Sequence, residues 1–255
     1  MNMNTLQREF QRIGARVSVT RTPAGFSLDL RRDRAGSTFA ISVGSANAPI
    51  SVLDVQPRQR HLVLQHGSNT FLCGHDERDW FAAAVPNTGS ATSVRGAMEA
   101  LKPLAVRLAQ TQKRVKRQKR NRRRNAAFIR QGEWFFLPEP KLKVNPLLVL
   151  RNEPLSRGSG KPHMAEQLVR TGGEAIYVCP EYPRGLTEIA YRRLTDKRPA
   201  KGQLAWRVQR RNPLVYVRGS VRHSDHKTIH LDVWHRVLPN TEHESASMSH
   251  LAFID

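Results

Sequence analysis

Cysteines and long apolar runs are both scarce in this sequence. Its 255 residues include only Cys73 and Cys179, which lie too far apart to indicate a short disulfide clamp. No apolar signal segment is recognisable at the start, so we expect a reducing compartment, the cytoplasm, or the nucleus if the chain is eukaryotic. The longest apolar runs, such as residues 146–150, are far shorter than the ~20 residues that cross a bilayer, which argues against a membrane protein.

Acidic residues are also scarce relative to basic ones. The chain has 21 Asp and Glu against 42 Lys and Arg, which gives a formal net charge of +21. This excess is larger than solubility requires, so we expect a polyanionic partner. A membrane-surface protein would more often carry a basic amphipathic helix with Trp, Phe or Leu opposite the charge, and we find no clear helix of this kind. Nucleic acid, RNA in preference to DNA, is therefore the expected partner.

The order of sequence patterns predicts an α+β protein with two sheet-rich halves. A hydrophobic content of 39% is enough for a buried core. We expect an antiparallel β-meander sheet with short helices at residues 1–92, and a helical connector with a long basic helix at 93–127. A second antiparallel sheet is expected in the C-terminal half at 128–238. Residues 239–255 are polar and partly acidic, which is typical of a flexible tail.

Turn chemistry and residue alternation agree in the first 45 residues. Four-residue turns at 22–25 and 33–36 bring three alternating strands into one antiparallel register. A slip of one residue would move every apolar side chain to the opposite face, so this agreement is informative. The predicted pairs are Val17 with Leu30, Val19 with Leu28, Leu30 with Phe39, Leu28 with Ile41, and Phe26 with Val43.

Several helices are predicted from capping residues and from changes of period. Thr5 can cap a helix over residues 6–13. Ser93 can cap another, and Pro103 either breaks that helix or begins the next one, which leads into the basic run. Residues 162–170 could form a short helix after a Gly- and Ser-rich loop.

The strongest single feature is a basic segment at residues 113–124, where nine of twelve residues are Lys or Arg. We predict a helix that is frayed when free and firmer when bound to phosphates, which would supply affinity and orientation but little base specificity. A solvated charged helix and a nuclear localisation patch are the alternatives. The basic residues are Lys113, Arg114, Lys116, Arg117, Lys119, Arg120, Arg122, Arg123 and Arg124.

Base recognition is predicted on the region 201–237, which alternates as three consecutive antiparallel strands. The register places Val208 beside Val215, Val221 beside Leu231, and Gly219 beside Val233. The face opposite this apolar set interleaves cations with aromatic rings, which could stack unpaired bases. The predicted contacts are Arg207, Tyr216, Arg218, Arg222, Trp234 and Arg236. The alternative is a solvent-facing surface in which Arg218 packs on Trp234 and Arg222 pairs with Asp232.

Histidines and a carboxylate cluster at the expected tip of the last hairpin. His223, Asp225 and His226 form H-x-D-H, which resembles part of the H-x-H-x-D-H motif of metallo-β-lactamase-fold hydrolases, a family that includes nucleases. Val221 occupies the place of the first histidine, and the resemblance covers only these residues. If a metal is bound, these three side chains are the expected ligands, with zinc or another divalent ion and an open water position. Acid–base chemistry by His223 or His226 without metal is a further alternative.

The leading hypothesis is therefore a nucleic-acid-binding protein, for which no cofactor is predicted. The second hypothesis is a nuclease or nucleic-acid-modifying enzyme centred on the hairpin that contains His223, Asp225 and His226. A ribonucleoprotein assembly component is the third. Residues 73–79 combine a thiol, an imidazole and carboxylates, but they are predicted to form a hairpin connection.

Overall fold

A computed structural model describes residues 3–23, 25–44, 49–87, 91–157 and 161–242. Within these residues the chain forms four α-helices and sixteen β-strands, which confirms the α+β class and the two regions of antiparallel sheet. None of the described helices has the length and apolar character needed to cross a bilayer.

The N-terminal part contains one helix and two sheets. The sheets have the strand orders β1-β3-β2 and β4-β5-β6-β7, and the second is an antiparallel meander. The elements are α1 (Met3–Arg12), β1 (Arg16–Arg21), β2 (Ser27–Asp33), β3 (Gly36–Val43), β4 (Ile50–Gln56), β5 (His61–His66), β6 (Asn69–Asp76) and β7 (Asp79–Val85).

The predicted register is right for β2 and β3 but wrong for β1. Leu28 faces Ile41 and Leu30 faces Phe39 across the antiparallel pair, as expected. Strand β1 instead pairs with β3 in parallel, so that Val17 faces Phe39. Alternation determines which face of the sheet a side chain occupies but not which strand lies alongside. Strand β3 has two edges, and β1 pairs with the edge that β2 does not occupy. Ala24 of the first predicted turn lies outside the described residues.

The meander sheet is buried on both faces, which explains its continuous apolar runs. Leu62, Leu64 and Phe71 belong to a core shared with α1 and the first sheet. Val63 and Leu72 point to the other face and pack with α2. The sheet therefore lies between the first sheet and a helix layer. The turn between β6 and β7 contacts the C-terminal half, where the Lys227 amide donates to Glu77.

The connector consists of two short helices and no long basic helix. Helix α2 (Val94–Ala100) begins where predicted, with the Ser93 hydroxyl accepting a hydrogen bond from the Gly96 amide at 3.1 Å. Helix α3 (Leu104–Gln112) follows Pro103 and ends before the basic segment.

The end of α3 has a local cause. Arg114 adopts a left-handed conformation with φ of 49°, and the Val115 amide donates back to the Gln110 carbonyl at 2.9 Å, as at many helix C-termini. Beyond this cap, like charges disfavour continued helix. The only helical element in the basic segment is a short 3-10 turn at Arg117–Lys119.

The C-terminal half contains a six-stranded sheet and a smaller three-stranded one. Their orders are β10-β11-β15-β16-β9-β8 and β13-β12-β14. The smaller sheet and α4 (Glu188–Lys197) form an insertion between β11 and β15. The strands are β8 (Ile129–Gln131), β9 (Trp134–Pro138), β10 (Leu150–Leu155), β11 (His163–Thr171), β12 (Glu174–Cys179), β13 (Tyr182–Thr187), β14 (Arg207–Arg211), β15 (Leu214–Arg222) and β16 (Ile229–Pro239).

Three predictions for this half are wrong. Residues 162–170 form most of strand β11 and not a helix. Strand β14 pairs with β12, so Val208 lies in the smaller sheet and does not face Val215. Strands β15 and β16 do pair, but Val221 faces Ile229, two residues from its predicted partner.

Candidate functional site

Three histidines from distant parts of the sequence meet where β11 begins and the β15–β16 connection turns. His163 is the first residue of β11, and His223 and His226 lie in the connection. One ring nitrogen from each side chain lies within 4.8 Å of the other two. The buried Gln131 side chain stabilises the turn, since its amide donates to the carbonyl oxygens of Val221 and Lys227 at 3.3 and 2.8 Å. We call these three residues the histidine cluster.

His163 is the most unusual member of the cluster. It is 0% exposed, and neither ring nitrogen has a hydrogen-bond partner among the described residues. Burial, with a smaller contribution from the neighbouring His223 and His226, lowers the pKa of His163 to about 3. The ring is therefore neutral at physiological pH, in the form that binds metal ions. A buried polar group without a partner is costly, so it calls for an explanation.

Gly132, in the tight turn between β8 and β9, borders the nitrogen side of the cluster. A Cβ atom at this position would lie 2.8 Å from Nε2 of His226 and 3.2 Å from Nε2 of His163. The φ of Gly132 is +55°, a conformation that glycine adopts most easily. The absence of a side chain here leaves space directly beside two imidazole nitrogens.

Glu77 connects the histidine cluster to the basic segment. Its Oε2 lies 3.4 Å from Nδ1 of His226 and accepts the Lys227 amide at 2.7 Å, while its Oε1 lies 2.6 Å from Arg123. Asp76, the preceding residue, forms ion pairs with Arg123 and Arg130. A carboxylate beside the outer nitrogen of an imidazole is a common arrangement around bound metals, because it orients the ring.

Asp225 does not join the cluster, in contrast to the ligand set expected from the motif. Its carboxylate pairs with Lys161 at 2.6 Å and accepts from the Ser224 hydroxyl at 3.2 Å. Its main-chain amide donates to Nδ1 of His223 at 3.1 Å. The structure therefore brings together His223 and His226 of the predicted set and replaces the carboxylate with His163, which the sequence pattern did not indicate.

The backbone of the basic segment is attached to the protein by buried polar groups. Lys102, 3% exposed, donates to the Arg120 carbonyl at 2.9 Å and to the Asn121 side chain at 2.6 Å. Gln110 donates to the same carbonyl at 2.6 Å, and Arg95 donates to the Arg117 carbonyl at 2.7 Å. The segment is therefore a supported loop, although it is not a helix.

Most of the cations on this loop point into solvent. Arg123 pairs with carboxylates, and Arg120 makes side-chain contacts with Gln110 and Thr111. The other seven basic side chains are exposed and form no salt bridge with any part of the chain that the structure describes. These seven are Lys113, Arg114, Lys116, Arg117, Lys119, Arg122 and Arg124.

The predicted stacking face is only partly assembled. The Arg218 guanidinium lies 4.9 Å from the centre of the Trp234 ring, as the sequence indicated. Trp234 is only 6% exposed, although its ring lies under the exposed Arg218 side chain. Tyr216 is half-buried beside Arg236, its partner on β16. The tryptophan ring is therefore covered by protein, and Tyr216 is the more accessible ring.

Two further residues of this predicted face lie apart from it or have other partners. Arg207 begins β14 in the smaller sheet and does not flank Tyr216. Arg222 lies on β15 but donates to the Asn152 side chain at 3.1 Å, so the predicted pairing with Asp232 is not seen. The interleaved surface of three consecutive strands is therefore divided between two sheets.

Comparison with protein-family models, with curated proteins and with solved structures finds no match to this chain.

Proposed function

We propose that this chain binds nucleic acid through the phosphate backbone, with the basic segment at residues 113–124 as the main contact. The seven exposed cations without carboxylate partners are the observation that supports this proposal. They lie on a loop whose backbone is held by Lys102 and Gln110, so less conformational entropy is lost on binding than for a free tail. RNA remains the favoured form, because the half-buried Tyr216 and the arginines near it would stack on unpaired bases.

Neutralising four of the exposed cations is expected to weaken binding and to reduce its salt dependence. The test variant replaces Lys116, Arg117, Lys119 and Arg122 with Gln. Each lost phosphate contact on a single strand lowers the slope of log K against log salt by about 0.7, so four lost contacts lower it by about 2.8, and affinity at 0.1 M salt falls by roughly 600-fold if affinity at 1 M is unchanged. Fluorescence anisotropy with labelled RNA and DNA oligonucleotides of mixed sequence, from 50 to 300 mM salt, measures both quantities.

A control variant removes the same charge elsewhere. Arg31, Arg34, Arg58 and Lys143 are exposed and form no salt bridge in the described ranges, and their replacement by Gln should change affinity by only a few-fold. Equal losses in the two variants would show that net charge and not the basic segment governs binding. No binding of the unaltered chain at 50 mM salt would overturn the proposal.

Cleavage of nucleic acid at the histidine cluster is a second candidate function. A surface concavity lined by Lys161, Arg222 and His223 opens beside the cluster, and its two cations suit a phosphodiester. The unaltered chain is expected to cleave labelled RNA or DNA, and replacement of His223 and His226 with Gln should abolish cleavage. Equal product from both proteins, or none from either, rejects this function and leaves the binding proposal intact.

A further inference from the structure

We propose that His163, His223 and His226 bind one divalent transition-metal ion of the Zn²⁺ class. Three imidazoles form a donor set that suits Zn²⁺ and its neighbours and is poorly matched to Mg²⁺ or Ca²⁺. Three protein ligands leave a fourth position for water or an anion. No residue of the basic segment belongs to this donor set, so metal binding can be tested separately from nucleic-acid binding.

The burial of His163 is the first observation that carries the inference. A fully buried imidazole without a hydrogen-bond partner in the described chain destabilises the fold, and an apolar residue of similar size would avoid that cost. A bound metal ion would satisfy one nitrogen and so account for the residue. The stacking of the His163 and His223 rings, with centres 4.2 Å apart, keeps the two donors adjacent.

Glu77 and Gly132 are the second and third observations. Glu77 lies beside Nδ1 of His226, which favours a proton on that nitrogen and leaves Nε2 as the metal ligand. Gly132 borders Nε2 of both His226 and His163, and a methyl group there would enter the space between them. Both features indicate Nε2 of His226 as the nitrogen that would face the metal.

Metal binding requires a small movement of the rings. Zn–N distances of about 2.0–2.1 Å with tetrahedral angles place ligand nitrogens about 3.4 Å apart, whereas one nitrogen of each ring now lies within 4.8 Å of the others. The rings of His163 and His226 are inclined by only 20°, so they must tilt for their lone pairs to converge. These are side-chain rotations that leave β11 and β15 in place.

The hydrogen bond from the Asp225 amide to His223 gives a specific signature of binding. If Nδ1 of His223 binds the metal, its lone pair is no longer free to accept this bond. If Nε2 binds, the proton of the neutral ring moves to Nδ1, which then cannot accept either. In both cases zinc binding breaks the bond, so the Asp225 amide should shift in the NMR spectrum and exchange faster with solvent.

The first experiment compares the full chain with His163→Leu. After removal of metal by a chelator, Zn²⁺ is titrated in competition with a chromophoric chelator, and the Asp225 amide is followed by NMR. The unaltered chain should bind one Zn²⁺ and show the amide shift, while His163→Leu should bind at least about 100-fold more weakly. The variant should fold, because it replaces a buried unpartnered ring with an apolar side chain.

The second experiment separates filling of the site from backbone strain. Gly132→Ala places a methyl group against the histidine nitrogens, whereas Gly172→Ala, at a φ of +66°, places one where no atom lies within 4 Å. Both variants carry similar strain, but only Gly132→Ala should weaken zinc binding, by about 10-fold or more. His230→Ala, which removes an exposed histidine outside the cluster, should leave zinc binding unchanged.

The outcomes are decisive. Failure of the unaltered chain to bind one Zn²⁺, or equal affinity in His163→Leu, overturns the proposal. Equal weakening by Gly132→Ala and Gly172→Ala also contradicts the location of the site. Loss in His163→Leu and Gly132→Ala, with retention in Gly172→Ala and His230→Ala, supports it.

Discussion

Replacing Lys102 with Met is expected to lower the free energy of unfolding by about 3–5 kcal/mol, because it removes one partner from a buried, charged hydrogen-bond network. The ammonium group donates to Glu99 at 2.8 Å and to the Arg120 carbonyl and the Asn121 side chain. Methionine has a similar length but no donor, so the Asn121 side chain would lose this partner and the Arg120 carbonyl would keep only the hydrogen bond from Gln110. Urea denaturation followed by tryptophan fluorescence measures the change.

Lys113 provides the matched control for this substitution. It lies at the exposed end of α3 and forms no salt bridge in the described ranges, so Lys113→Met should change stability by less than about 0.5 kcal/mol. The Lys102 variant should also be cut faster by trypsin between residues 113 and 124, because its loop is less firmly held. A Lys102→Met protein as stable as Lys113→Met would show that the network does not support the loop.

Local sequence signals predicted several elements well. The β2–β3 register depends on a short turn in which the Ala35 amide donates to the Asp33 side chain at 2.8 Å and Gly36 has a φ of +108°. The Ser93 cap of α2 is equally local. In both cases the residues on which the prediction was based form the hydrogen bond that defines the turn or the cap. Such contacts can be predicted because they involve residues close in sequence.

Strand pairing over longer distances was not predictable in the same way. Strand β1 lies parallel to β3, and β14 leaves the expected sheet to pair with β12. The alternation of apolar and polar residues is the same for the predicted and the observed partner of each strand. The same side chains point into the core whichever strand lies alongside. The pairing partner of a strand depends on how whole layers pack, and the alternation of residues along the strand contains no information about that packing.

The histidine cluster, likewise, could be predicted from the sequence only where its members are close together in the chain. His223 and His226 are close in sequence, and their spacing marked them as candidates. His163 lies 60 residues before His223, and its surroundings, with Pro162 and Gly- and Ser-rich residues before it, carry no ligand spacing. The antiparallel pairing of β11 with β15, which places Met164 opposite Arg222, brings it to the site. Asp225, although closer in sequence, is directed to Lys161.

The basic segment differed from its prediction for an energetic reason. Lys and Arg have good helix propensity, but the Arg114 conformation ends α3, and the carbonyls of Arg117 and Arg120 bond to side chains from elsewhere. Tertiary hydrogen bonds therefore replace the helix ladder. One consequence is that most cations of the basic segment are already exposed to solvent before any partner binds, because the loop does not need to become helical first.

Replacing Asp76 with Asn is expected to lower the free energy of unfolding by about 3 kcal/mol at neutral pH. Asp76 is 8% exposed and forms ion pairs with both Arg123 and Arg130, so the neutral amide leaves two guanidinium groups with less compensation. Asp232→Asn, at an exposed carboxylate that lies 3.6 Å from His230, should cost less than about 0.5 kcal/mol. Denaturation curves of the three proteins at pH 7 test the difference.

The pH dependence of this difference identifies its electrostatic origin. Burial acts to raise the pKa of Asp76, but Arg130 and Arg123 outweigh it and hold the pKa below the ordinary value of 3.8. A carboxyl group whose pKa is lower in the folded state stabilises the fold above 3.8 and loses that contribution as the pH falls through the folded-state pKa. The stability gap between Asp76→Asn and the unaltered chain should therefore be constant above about pH 5 and narrow below about pH 4. A gap that stays the same down to pH 2.5 would mean that shape and hydrogen bonding, and not charge, explain the role of Asp76.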